Sequence, residues 1–122
     1  MKKILLIEDD MINAELVADI LEMSGCDVKW VTDGKEALSL LEKESFDLIL
    51  TDIHMPRMDG IVFIQEIRKK QIRPAKFIVA LTADTEANGG QTFQDIGYDG
   101  HIQKPFKINE LRAYINALLE MD

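Results

Sequence analysis

The chain contains one cysteine in 122 residues, so no internal disulfide can form, and a lone thiol fits a reducing cytoplasm. With no cation beside it to lower its pKa, Cys26 reads as a small core residue rather than a nucleophile. Basic residues are also scarce: 14 Lys and Arg stand against 22 Asp and Glu, for a formal net charge of −8. A duplex binder needs a basic face to displace counterions, so direct contact with nucleic acid is not expected. No apolar run approaches the roughly 20 residues that span a bilayer. Lys2 and Lys3 imitate the start of a signal peptide, but the apolar stretch behind them ends after four residues at Glu8-Asp9-Asp10. That is short of the roughly 7–15 residues of an h-region, so neither export nor a membrane partner is expected. Repeats, linkers and low-complexity tracts are absent.

What the chain does have is an apolar content of 47%, enough for one packed domain over residues 1–122 and hardly for a second. Short apolar runs at 4–7, 28–31, 48–50 and 77–81, with a weaker one around Ile102, alternate with amphipathic stretches. Continuous rather than alternating hydrophobicity is the pattern of parallel strands buried on both faces. Leu16, Ile20 and Met23, with Val17 and Leu21 alongside, form one helical stripe that stops at Ser24-Gly25. Residues 34–43 form another, with Asp33 as N-cap. A third opens at Asp59-Gly60 and carries Ile61, Ile64 and Ile67. Ile108, Leu111, Ile115 and Leu118 mark the last, with Asn109 early in it. Residues 86–96 make the poorest helix, because each glycine of Asn88-Gly89-Gly90 costs about 1 kcal/mol relative to alanine. The alternation predicts an α/β fold: five parallel strands in a three-layer sandwich with right-handed crossovers. Sites in such sheets form at the carboxyl ends of the strands.

Those ends hold the polar residues. The first run closes on Glu8-Asp9-Asp10, the third on Thr51-Asp52, the fourth on Thr82 and the fifth on Lys104. Carboxylates brought together on one edge repel unless a cation lies among them. Hard oxygen ligands without a Cys or His cluster favour Mg²⁺, or Mn²⁺, over zinc. A carboxylate is also a nucleophile toward phosphoryl groups, and the metaphosphate-like group it receives must chiefly be positioned and neutralised. Asp52 suits the nucleophile, Lys104 and the metal the positive charge, and Thr82 a hydrogen-bond donor.

The chain resembles the response-regulator receiver domains of two-component signalling along nearly its whole length. The resemblance rests on residues 4–10 (ILLIEDD), on 47–60 (DLILTDIHMPRMDG), on Leu81-Thr82-Ala83 and on Lys104-Pro105-Phe106, in that order. It implies the flavodoxin-like strand order 2-1-3-4-5. It further implies that Asp52 is the phosphoacceptor and a metal ligand, that Asp9 binds Mg²⁺ directly and Glu8 through water, and that the main-chain carbonyl of His54 is another ligand. Thr82 would bond the phosphoryl group, Lys104 would pair with Asp52, and the Lys104-Pro105 peptide would be cis. The implied partners are a histidine kinase or histidine phosphotransfer protein docking near the first helix, and an unknown downstream protein. That target would read the fourth helix, fifth strand and fifth helix. The protein would be a signalling phosphoacceptor rather than an enzyme, either a complete single-domain regulator or a receiver taken from a longer chain.

One position departs from the family's pattern: His101 stands where an aromatic, often Tyr or Phe, precedes the lysine by three residues. Its alternatives are a switch residue and a half-exposed surface histidine. Asp84 and His54 are expected to tune loss of the phosphate to water, against the alternative of two solvated side chains. Asp10 reads either as part of the acidic group or as an N-cap. Trp30 is expected too far from the site to sense it. The rival functions are a phosphatase with an aspartyl nucleophile, which commonly has a second Asp two residues on where this chain has His54, and a flavodoxin-like carrier or unphosphorylated receiver. No glycine-rich loop follows the first run, and no acceptor residue is missing.

Overall fold

The computed structural model of the chain describes residues 1–53, 60–70, 75–82, 93–95 and 97–120. Its elements run β1 (Lys3–Ile7), α1 (Met11–Met23), β2 (Asp27–Val31), α2 (Gly34–Leu41), β3 (Phe46–Asp52), α3 (Gly60–Lys70), β4 (Ala75–Thr82), β5 (Gly100–Gln103) and α4 (Ile108–Leu119). All five strands are parallel and lie in the order β2-β1-β3-β4-β5, as expected. Because side chains alternate along a strand, β1, β3 and β4 each feed two cores. Leu5, Ile7 and Ile49 pack with Ala37 and Leu41 of α2 and with Phe63, Ile64 and Ile67 of α3. Ile4, Leu6, Leu48 and Leu50 pack with Ala14, Val17 and Leu21 of α1 and with Leu111 and Ile115 of α4. Among the described residues the result is three layers, with α2 and α3 on one face of the sheet and α1 and α4 on the other.

Local chemistry sets the element ends. Asp10 is the N-cap of α1, its Oδ1 accepting from the amides of Ile12 (2.9 Å) and Asn13 (3.2 Å). Asp33 caps α2 by accepting from the Glu36 amide at 2.9 Å. Beyond α1, Gly25 takes φ 87°, a left-handed turn that the missing Cβ makes cheap and that sends the chain back into β2. Cys26 is buried, and burial, followed by the charge of Asp47, pushes its thiol pKa up, which suits a packing role. The Lys104-Pro105 peptide is cis.

Two expectations shift. The buried face of α1 is Ala14, Val17, Ile20 and Leu21, whereas Leu16 and Met23 are exposed. The apolar stripe is wider than one face can bury, and the sheet takes the side one position around. Ile108 likewise lies exposed at the start of α4. The weak helix expected over 86–96 falls outside the described residues except for 93–95, which form a turn, and Asp59 lies outside them too. Among the described residues no helix is long and apolar enough to cross a membrane.

Candidate functional site

Parallel pairing places the last residues of neighbouring strands side by side. Ile7 of β1 pairs with Thr51 of β3, Asp52 with Leu81 of β4, and Thr82 with Gln103 of β5. Glu8, Asp52, Thr82 and Lys104 therefore emerge at one edge, and the Lys104 amide donates to the Thr82 carbonyl at 2.7 Å. Glu8, Asp9 and Asp52 each offer a carboxylate oxygen within 4.8 Å of the others'. Lys104 Nζ lies 3.2 Å from Asp52 Oδ2 and 3.5 Å from Glu8 Oε1.

The group is graded in burial. Glu8 and Thr82 are buried, Asp52 and Lys104 are partly covered, and Asp9 faces solvent. Removal from water raises the Glu8 pKa from 4.5 to about 7. A hydrogen bond to Asp52 and the charge of Asp52 push it the same way, and Lys104 only partly offsets them. Burial and the negative charge of Asp52 and Asp9 beside it thus disfavour the ionised form of the Glu8 carboxyl. That excess of negative charge is what a small dication would relieve, and an all-oxygen set suits Mg²⁺. The residues present fit the ion.

Of the residues named from sequence, Glu8, Asp9, Asp52, Thr82 and Lys104 come together. His54 and Asp84 lie outside the described residues. Asp10 lies beside the cluster but is engaged as a helix cap. His101 is exposed, and its ring stands 4.8 Å from that of Phe93.

Trp30 corrects the expectation of distance: its indole N–H donates to the Glu8 carbonyl at 2.7 Å. The adjacency was latent in the strand order, because the end of β2 must lie beside the end of β1. A second feature that sequence reasoning missed is a 340 Å³ pocket beside Glu8 and Lys104. Its walls are Asn13, Leu16 and Val17 of α1, Leu81, Pro105 and Phe106.

Residues 4–116 match the family model described as "Response regulator receiver domain". The chain is 39% identical over 119 residues to a transcriptional regulatory protein CpxR homolog of Haemophilus influenzae, covering 98% of this chain and 51% of that one. It thus spans about half the length of that curated relative. Among solved structures, the chemotaxis response regulator CheY4 of Vibrio cholerae superposes with a TM-score of 0.87 at 30% identity, covering 97% of this chain and 98% of that one. The receiver domain of a Pseudomonas aeruginosa sensor histidine kinase, with magnesium coordinated in its active-site cleft, superposes at 0.83 with 29% identity and 98% coverage of each chain.

Proposed function

This chain belongs to the family of response regulator receiver domains, the phosphoacceptor modules of two-component signalling, and from that membership we propose that Asp52 is its phosphorylated residue. The observation that carries the reading is the convergence of three carboxylates and one ammonium group from β1, β3 and the end of β5. In the reaction an Asp52 oxygen attacks the phosphorus of a phosphohistidine in line with the scissile P–N bond. The O–P bond forms as the P–N bond breaks, and the imidazole nitrogen leaves with the electron pair. Lys104 supplies positive charge at the acceptor, and Thr82, at the tip of β4, donates its hydroxyl to a phosphoryl oxygen. Glu8, Asp9 and Asp52 would hold Mg²⁺, with Mn²⁺ as a substitute, and the bound ion would neutralise the phosphoryl oxygens during transfer.

The phosphodonor is a histidine kinase or histidine phosphotransfer protein. Support for its docking on α1 comes from the 340 Å³ pocket between α1 and Phe106, with the exposed Leu16 in its wall, and from Met11 and Ile12, which are exposed in the first turn of α1. The acyl phosphate then favours one of two arrangements of the chain beyond β4, and a downstream protein prefers that arrangement. The protein is a signalling acceptor in the reducing cytoplasm, not an enzyme with repeated turnover on an external substrate. Incubation with a small phosphodonor and Mg²⁺ tests the reading. The intact mass rises by one phosphoryl group in the parent and not in Asp52→Asn. An unmodified parent, or equal modification of the two, overturns it.

A further inference from the structure

The carboxylate least supported by packing in the acidic group is Asp9, which is exposed. Its position depends on the main chain that leads into it. The Glu8 amide donates to the Val31 carbonyl at 3.1 Å, and the Glu8 carbonyl accepts from Trp30 Nε1 at 2.7 Å. The two peptide planes flanking Glu8 are thus fixed by the last two residues of one neighbouring strand. The peptide plane between Glu8 and Asp9 sets the direction in which the Asp9 side chain leaves the backbone.

The supporting strand is itself anchored. Thr32, which follows β2, donates to Glu36 Oε2 from both its amide and its hydroxyl at 2.7 Å, and Asp33 caps α2. A continuous set of hydrogen bonds therefore runs from the first turn of α2 through the end of β2 to the acidic turn. Trp30 is 37% exposed on an edge strand, so apolar burial alone does not account for an indole there.

We propose that Trp30 is a positioning residue for the cation site: its indole N–H orients the Glu8–Asp9 peptide so that the Asp9 carboxylate joins those of Glu8 and Asp52. Trp30 touches neither the phosphoryl group nor the ion. The inference rests on the reading of these carboxylates as the Mg²⁺ site.

Trp30 is the chain's single tryptophan, so biosynthetic replacement with a tryptophan analogue alters one site only. Benzothienylalanine keeps the shape of the indole and replaces N–H with sulfur, whereas 5-fluorotryptophan keeps the donor. Mg²⁺ affinity of each protein is measured by titration calorimetry, with thermal unfolding in EDTA alongside. Loss of one neutral hydrogen bond predicts Mg²⁺ binding about three- to tenfold weaker in the benzothienyl protein, with the fluorotryptophan protein matching the parent. Trp30→Phe gives the same weakening should the analogue protein fail to fold. Equal Mg²⁺ affinity in parent and donorless proteins overturns the inference while leaving the functional reading intact, even where unfolding shifts. Absence of Mg²⁺ binding by the parent overturns both.

Discussion

Lys104 Nζ stands 3.2 Å from Asp52 Oδ2, and only 14% of the Asp52 side chain remains exposed. This pair joins the end of β3 to the residue after β5 across β4. It sets a cation beside the proposed acceptor before any metal or phosphate arrives. Hydrogen bonds to charged groups contribute about 1.5–3 kcal/mol. Lys104→Met is therefore expected to slow phosphorylation about 10- to 100-fold, read from the time course of intact mass with a small phosphodonor. An unchanged rate would assign Lys104 to later steps only.

Glu8 makes the metal-free protein sensitive to pH. With its folded-state pKa raised from 4.5 to about 7, the folded protein holds this proton more tightly than the unfolded chain does. The Glu8 contribution is thus most favourable below pH 4.5 and is lost as pH rises toward 7. In EDTA, the melting temperature of the parent should fall relative to Glu8→Gln over that window and run parallel to it above. Saturating Mg²⁺ should remove the fall, since the ion replaces the proton. A constant difference across the window would refute the assignment.

Asp10 separates a helix cap from a cation ligand. Asp10→Ala removes the acceptor for the Ile12 and Asn13 amides and should cost about 1 kcal/mol of stability. Asp10→Asn caps equally well and should restore denaturation midpoints to near the parental value. If Asn fails to restore them, the charge of Asp10 matters beyond the cap.

Gly100 lies directly beneath Tyr114, and a Cβ there would overlap the Tyr114 hydroxyl. Burial, the largest influence, raises the pKa of this phenol, while its hydrogen bond to the His101 backbone acts the other way. Gly100→Ala should destabilise by about 1–3 kcal/mol through overpacking. Tyr114→Phe removes the colliding oxygen, so the double substitution should cost less than the sum of the two singles in urea unfolding. Strict additivity would show that α4 does not bear on β5 at this point.

Much of the site could be read before folding because its residues follow strands. Apolar runs ending in Glu8-Asp9, Asp52, Thr82 and Lys104 mark carboxyl ends, and parallel pairing then brings those ends together. The cap Asp33 was equally local, a short acceptor one residue ahead of a helical stripe, whereas Asp10 stayed open between cap and acidic group until its bonds to the Ile12 and Asn13 amides were seen. Which side of α1 is buried was not legible. Leu16 and Val17 are both apolar, and only the seating of the helix on the sheet buries one and leaves the other in water.

Sequence by itself determined the α/β alternation, the five strands and the inventory of acidic, hydroxyl and ammonium groups, because periodicity, capping and strand termini are short-range properties. Tertiary structure alone decided the 3.2 Å approach of Lys104 to Asp52, the burial that raises Glu8 to about 7, and the indole of Trp30 on the Glu8 carbonyl. Each of these depends on distance and solvent exclusion between segments far apart in the chain, and those quantities exist only once the sheet has closed.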